Sequence, residues 1–493
     1  MYTLLFSLKE LEINSKVNKS KFTENLVILI VLGRSIRLSK VIHGNLYIIY
    51  SLVLLLYVVN TFLMNTTINY LVGVLALPML LISFWGASKL FRILGIIFIT
   101  VGIFLFIYSG LPFYSLPLYT TSTMPLLAFL AVLPWMNSVV KAGRYDRRMN
   151  DLMKAKTSNL GNLYIKSSFT TYILVTFISL SGLSITQEVL IENISKLKKK
   201  VRDSFISRTT LRAFACAVTW SPVEVIVAIT VDATGISYLM YLPWLILCSV
   251  VVLLFDWLCG KKRFAKTNIQ QETDQSSKGV HSKKIAIKIL QLLVALTIFL
   301  IIVVTIGSYF HLNFILSVTL VILPFASGWA LLTKRWRSYL AVGVKTWKTR
   351  TNNMQNYVVL FLSLAIFSNS LNVTPFLQII QQPFLSASEL PIAILLLIQF
   401  TYILMALIGV HPIATIGILI EVLKPLYTIV NPLSIGMVLI TSALATATIG
   451  AYGLTVTMTS ITTNENPYRI TVRNMPFALF YGGVGTFIGF LLL

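Results

Sequence analysis

The stretch Ala213-Phe-Ala-Cys-Ala-Val-Thr-Trp-Ser-Pro222, continued by Val223-Glu-Val-Ile-Val-Ala-Ile-Thr230, sets the reading of the whole chain. It is apolar enough to lie in a bilayer, yet Trp220-Ser221-Pro222 interrupts it near the middle. Proline removes a backbone donor and clashes with the preceding turn, so a helix must kink or open there. Hydrocarbon offers no partner for the freed carbonyls, so such an opening is tolerated only against protein or a water-filled cavity. The carboxylate of Glu224, two residues on, is expected to point at the same cavity, because lipid does not accept it cheaply. A broken membrane helix with a buried acid is where a transporter holds its cargo.

Composition agrees with a membrane setting. Of 493 residues, 56% are hydrophobic and only 11% charged, with mean hydropathy +0.83. A soluble chain carries about a quarter charged residues, and many windows here reach the roughly 20 apolar residues that span a bilayer. The expected fold is an all-α polytopic membrane protein. The net charge of +24 comes from 40 Lys and Arg against 16 acids. These positives sit in short loops between apolar segments, which is how orientation is encoded. Basic and aromatic residues do not interleave as nucleic-acid binding requires, so no nucleic-acid partner is expected. Cys216, Cys248 and Cys259 show no pairing or metal spacing, and no cofactor is expected. No cleavable signal precedes the first span, and residues 1–44 are read as a cytoplasmic segment, with an amphipathic helix around Leu26–Leu32.

Spans are expected at about 45–64, 68–87, 93–110 and 123–140. Arg34, Arg37 and Lys40 precede them, Lys89 and Arg92 lie between the second and third, and a loop with Lys141, Arg144, Arg147, Arg148, Lys154 and Lys156 follows the fourth. Counting basic residues places the N-terminus and these loops in the cytoplasm. Segment 168–193 then raises a parity problem, because Lys196, Lys198, Lys199, Lys200, Arg202, Arg208 and Arg212 lie beyond it. A single ordinary crossing puts that second cluster outside. A hairpin that dips in and returns, turning near Ser179-Leu-Ser-Gly-Leu-Ser184, removes the conflict, and serine hydroxyls suit the exposed backbone of its tip.

The broken helix at 211–235 is followed by a span at 238–258, and the polar stretch 259–284 reads as a cytoplasmic linker between the halves 45–258 and 285–493. Further spans are expected at about 285–306, 311–331 and 355–374. Pro375–Ser388, with no Lys or Arg, reads as external.

The halves match at a shift of about 230 residues. Phe169-Thr-Thr-Tyr-Ile-Leu174 pairs with Phe400-Thr-Tyr-Ile-Leu404, Gly182 with Gly409, and Glu188-Val-Leu190 with Glu421-Val-Leu423. Ala213-Phe-Ala-Cys-Ala217 pairs with Ala443-Leu-Ala-Thr-Ala447, the break at Trp220–Pro222 with Gly450-Ala-Tyr-Gly453, and Leu242-Pro-Trp244 with Met475-Pro-Phe477. This predicts a second hairpin at 390–429 with Gly409-Val-His-Pro412 at its tip, a second broken helix at 436–463 and a last span at 475–493. The total is about 11 transmembrane helices and two re-entrant hairpins in an inverted repeat, with the C-terminus outside. Lys424 is the one basic residue clearly on the wrong side.

This arrangement resembles the ion transporter superfamily, the fold of sodium-coupled dicarboxylate symporters and related anion carriers, over roughly residues 68–493. Three spans, a hairpin, a broken helix and a closing span recur with inverted topology. Where those symporters carry Ser-Asn-Thr, this chain reads Ser179–Ser184 and Thr219-Trp-Ser-Pro222, then Gly409-Val-His-Pro412 and Thr448-Ile-Gly-Ala-Tyr-Gly453.

The chemistry expected at such a site comes from dipoles. Half-helix N-termini face an anion, and unwound carbonyls hold a cation. The candidate ligands are Ser181, Gly182, Ser184, Thr219, Ser221, Pro222 and Glu224 in the first half. In the second they are Gly409, His411, Pro412, Thr448, Gly450 and Gly453, with Thr446 and Thr455 nearby. The competing reading of the hydroxyls is bonding back to their own helix. His411 suits proton relay or turn capping, Glu224 a proton or cation site, and Asp232, Glu188 and Glu421 solvated segment ends. No Lys or Arg is expected in the cavity. The function read from these residues is a secondary carrier in a bacterial cell membrane, moving a small anionic solute with Na+ or H+, and forming a homodimer is compatible with it. The alternatives are an intramembrane enzyme or a membrane subunit of an export or assembly machine. Against the enzyme, His-Glu-x-x-His, Gly-x-Ser-x-Gly and a pair of intramembrane aspartates are all lacking. No phosphate-binding loop supports a primary pump.

Overall fold

A computed structural model describes residues 44–143, 159–267, 282–386 and 390–493. The expected N-terminal segment, most of the basic loop after the fourth span and the centre of the linker lie outside the described residues. Among the described residues every regular element is helical. The chain opens with α1 (Leu46–Leu63), α2 (Thr66–Gly86), α3 (Lys89–Tyr108) and α4 (Met124–Ala142). The Asn65 side chain accepts from the Thr67 and Ile68 amides and so starts α2 one turn after α1 ends. The uncharged loop between α3 and α4 winds into short helical turns, and Thr120 in it donates to the Pro117 carbonyl at 2.7 Å.

Next come α5 (Leu160–Ile178), α6 (Leu180–Asn193), α7 (Lys199–Val218), α8 (Val225–Thr234) and α9 (Tyr238–Phe264). The second half holds α10 (Ser282–Phe310), α11 (Phe314–Leu332), α12 (Trp336–Asn352) and α13 (Gln355–Asn372), then α14 (Phe376–Ser386). It ends with α15 (Pro391–Ile408), α16 (Pro412–Leu423), α17 (Pro432–Thr446), α18 (Leu454–Thr463) and α19 (Pro467–Leu491). Among the described residues nine helices are long and apolar enough to cross a membrane, and ten if α12 and α13, bent by 52°, count as one crossing. The count of eleven distributes the same chain differently: it takes α13 as a span, assigns α15 to a hairpin, and adds the two broken helices, of which α8, α17 and α18 are too short to be scored as spans and α7 is too polar.

Segment 160–193 is not a rod. Leu190 on α6 and Ile194 just past its end are buried in one cluster with Leu160, Leu163 and Tyr164 at the start of α5, so the chain folds back on itself. The reversal is made by Ser179, at φ 45°, and its counterpart in the second half is Gly409, at φ 97°. The matching of Gly182 with Gly409 is therefore three residues out. Gly182 already lies in α6, and a Cβ there would stand 2.9 Å from the Leu174 carbonyl carbon, so its role is to let the two arms touch.

The first broken helix begins at Lys199, well before the expected 211. Its early turns are too polar for a hydropathy window, but they are covered by protein rather than lipid: Asp203, Ser207, Thr209 and Thr210 are all buried. α12 escapes the hydropathy pattern for another reason: it carries Arg337, Lys345, Lys348 and Arg350 and is largely exposed, with Tyr339, Gly343 and Thr351 buried. Its Gly343 packs under Trp135 of α4, and Trp347 stacks edge-on against Tyr47 at 5.5 Å.

The two halves pack as exchanged partners. α3 lies against α13 and α11 against α4, so each pair joins a helix of one half to a helix of the other. The second halves of the broken helices open at Val225 and Leu454 and the closing helices at Tyr238 and Pro467, with the same separation in both pairs. The tightest seam within the second half is between α17 and α19. A Cβ on Gly485 would sit 2.0 Å from the Thr441 hydroxyl oxygen, so Gly485→Ala is expected to push these helices apart. The expected loss is about 1–3 kcal/mol, read as a lower melting temperature of the purified protein. Unchanged melting would show that the seam is looser than described.

Candidate functional site

α7 ends at Val218 and α8 starts at Val225, and the residues between form a tight turn in place of helix. The Ser221 amide donates to the Val218 carbonyl at 3.2 Å, and the Glu224 amide to Ser221 at 3.1 Å. Side chains take up the carbonyls and dipoles that proline releases. Tyr238 donates its hydroxyl to the Trp220 carbonyl, and the Trp220 indole donates to Tyr172 of α5 at 2.6 Å. Thr219 donates to the Ala215 carbonyl at 2.8 Å and is also bonded to the Tyr481 hydroxyl of α19. Ser221 and Pro222 are buried.

The second break uses glycine instead of proline. Gly450 donates its amide to Thr446 at 2.9 Å and Gly453 to Gly450 at 2.8 Å, which closes a compact turn. Thr446, the last residue of α17, and Thr448 just beyond it donate to the Ala443 and Ala445 carbonyls of that helix. Thr455 reaches back to Ala447 at 2.5 Å, and Thr471 of α19 donates to Ile449 at 2.7 Å. Four hydroxyls thus serve the opened backbone.

The second hairpin tip packs against the second break. Gly409 lies under Tyr452 of the second break, whose ring a Cβ there would meet at 2.7 Å. His411 caps α16, its Nδ1 accepting from the Ile413 amide at 3.2 Å, with Pro412 as the first helical residue. The imidazole stands edge-on to Tyr357 of α13 at 6.5 Å and lies 5.6 Å from Phe91 of α3. Tyr357 in turn lies within electrostatic range of the Glu224 carboxylate. Glu224 is half-buried beside the Val225 and Ile226 amides that open α8. The structure thus sets His411 beside Tyr357, a residue absent from the sequence reading that also feels the Glu224 carboxylate, while Gly409 packs on Tyr452. No local motif marks Tyr357: a tyrosine in an apolar helix reads as core until its neighbours are known.

The first hairpin connects through other residues. Gln187 of α6 donates to Thr210 of α7 at 3.0 Å and to Thr459 of α18 at 2.8 Å. Ser184 donates to Glu188 at 3.2 Å, one turn along its own helix, and Ser181 is half-buried near the tip. Glu421 accepts from Ser368 at 2.7 Å and lies 3.5 Å from Lys424. Asp232 accepts the Phe314 amide at 3.2 Å and so caps α11.

One buried charged group is absent from the sequence reading. Asp256 on α9 is buried, pairs with Arg212 at 2.7 Å and accepts the Tyr164 hydroxyl at 2.7 Å. Arg212 also donates to Asn474 at 3.0 Å and stacks over the Phe477 ring at 5.0 Å. Counting basic residues assigns Arg212 to a cytoplasmic cluster, whereas its side chain is enclosed within the protein; the lone acid in the apolar span 238–258 was the signal to look for its partner.

No protein-family model matches the chain, and no curated protein matches it either. Its fold, however, has solved counterparts. The fold is similar to that of the YdaH transporter. That protein, from Alcanivorax borkumensis, has a crystal structure described as revealing an unusual topology. It aligns with a TM-score of 0.59 over 81% of this chain and 98% of its own, at 14% identity. MtrF of Neisseria gonorrhoeae, described with a class of antimetabolite efflux pumps, aligns with a TM-score of 0.51 over 80% and 94%, at 12% identity. At these identities the likeness to YdaH and MtrF carries the fold and not the residues.

Proposed function

We propose that the chain is a secondary carrier of the ion transporter superfamily type, moving a small anionic solute with Na+ or H+ by alternating access. The observation that supports this reading best is the exchange between the interrupted helices. α8, beyond the first break, packs on α16 and α17 of the other half, while α18, beyond the second, packs on α6 and α7. A unit of each repeat is completed by the other, as expected of a site between inverted repeats. The two helix pairs α5–α6 and α15–α16 then act as re-entrant hairpins, and α8, α16 and α18 turn positive N-terminal ends towards the breaks. Solute and Na+ or H+ are the expected ligands, with a homodimer as the assembly.

Proteoliposomes test the class. Uptake driven by an imposed Na+ or proton gradient is expected, and turnover of a solute without accumulation would favour an intramembrane enzyme. Topology is tested by cysteine labelling in a Cys259→Ser background, since the other two cysteines are buried. A cysteine at the exposed Gln382 is expected to react from outside, and one at Lys262 only from inside. The opposite pattern would reverse the orientation, in which the N-terminus is cytoplasmic and the C-terminus external.

A further inference from the structure

We propose that the groove between α10 and α11 is a binding site for an anionic phospholipid. The groove encloses about 910 Å³ and is open along one side. Ile306 and Leu320 line one end, and Lys288, Trp329 and Thr333 the other. Pro324 and Gly328 leave a notch in its wall, and the space where a Gly328 Cβ would lie is empty. Both walls are helices long and apolar enough to span the bilayer, so the surroundings of this groove are lipid, and an acyl chain is the ligand its lining fits.

Charge selects the headgroup. From Gln275 to Ser388 the sequence contains no Asp or Glu. At the Lys288 end the chain leaves α11 through Lys334, Arg335 and Arg337, all exposed, and α12 adds exposed Lys345, Lys348 and Arg350. Cations next to an apolar groove at the end of a membrane helix attract anionic headgroups, each contributing about 1 kcal/mol near the surface. A zwitterionic lipid would fill the groove without using them. The argument is independent of the carrier reading, since no residue that lines the groove belongs to a break or a hairpin tip.

The test is native mass spectrometry of the full chain released from nanodiscs containing equal phosphatidylglycerol and phosphatidylcholine. Phosphatidylglycerol is expected to be retained preferentially. Gly328→Trp fills the notch and is expected to lower retention of both lipids. Lys334→Gln combined with Arg335→Gln lies on the exposed surface, where it does not threaten folding, and is expected to weaken phosphatidylglycerol alone, by about fivefold for each charge removed. Equal retention of the two lipids, or phosphatidylglycerol retention unchanged by the charge variant, would overturn the proposal. So would Gly328→Trp converting a dimer to monomer with lipid retention intact, because the groove would then be filled by a second copy.

Discussion

Asp256→Ala is expected to be the most destabilising single substitution among the polar residues of this protein. The Asp256 side chain is 1% exposed and its partner Arg212 9%. Removing the carboxylate leaves the guanidinium enclosed with only Asn474 and the Phe477 ring, and leaves the Tyr164 hydroxyl without its acceptor. Breaking one partner out of a buried pair costs about 3–5 kcal/mol, because the surviving charge has lost both water and counter-ion. The pair also ties together α5, α7, α9 and α19, so the loss should be felt across both halves. The measurement is the fraction of purified protein that stays monodisperse after heating. A second variant separates charge from packing. Arg212→Met with Asp256→Leu removes both charges at similar volume and is expected to recover most of the loss. If the double variant is as unstable as the single one, the four helices are held by shape at this point and not by the ion pair. A loss under about 1 kcal/mol would mean that water reaches the pair, as at an exposed salt bridge.

Much of this architecture is legible without coordinates, for a physical reason. Lipid-facing helices must be apolar along their whole length, so α1, α2, α3 and α10 announce themselves by hydropathy. Breaks are legible too, because Pro222, Gly450 and Gly453 leave few backbone alternatives. The basic residues on both flanks of 168–193 are the reason to expect a reversal there, and the chain does fold back at Ser179. What escaped notice is what protein, rather than lipid, encloses. The first turns of α7 are polar and yet buried, so a hydropathy window starts that helix twelve residues late. Tyr357 meets Phe91 and His411 only through the packing of α13 on α3 and α16, contacts between residues far apart in sequence. The reversal falls at Ser179, inside the expected tip Ser179–Ser184, and only the pairing of Gly182 with Gly409 is out of register, because three serines and a glycine within six residues give no local ground for choosing among them.

Glu224→Gln is the substitution expected to abolish transport most selectively. The change preserves volume and an accepting oxygen and removes only the charge, so it isolates what the carboxylate does. Two roles fit its position. As a cap, it would do no more than complement the N-terminal amides of α8, a contribution of about 0.3–1 kcal/mol; melting would fall slightly and uptake would survive. As a group that meets a cargo cation or proton, it contributes a charged interaction of about 1.5–3 kcal/mol, which corresponds to roughly a tenfold to hundredfold loss in uptake. The expectation is the second outcome: gradient-driven uptake into proteoliposomes falls at least about tenfold, with melting and elution unchanged. Pro222→Ala probes the same element from the backbone side. It returns an amide to the turn between α7 and α8 and favours closure of the break, so uptake should fall while the Asp256–Arg212 pair keeps the fold intact. The two variants fail together only if the break and the acid belong to one site. Loss of uptake in Pro222→Ala with full uptake in Glu224→Gln would keep the hinge and remove the carboxylate from the transport path, leaving the dipoles of α8, α16 and α18 to hold the cargo.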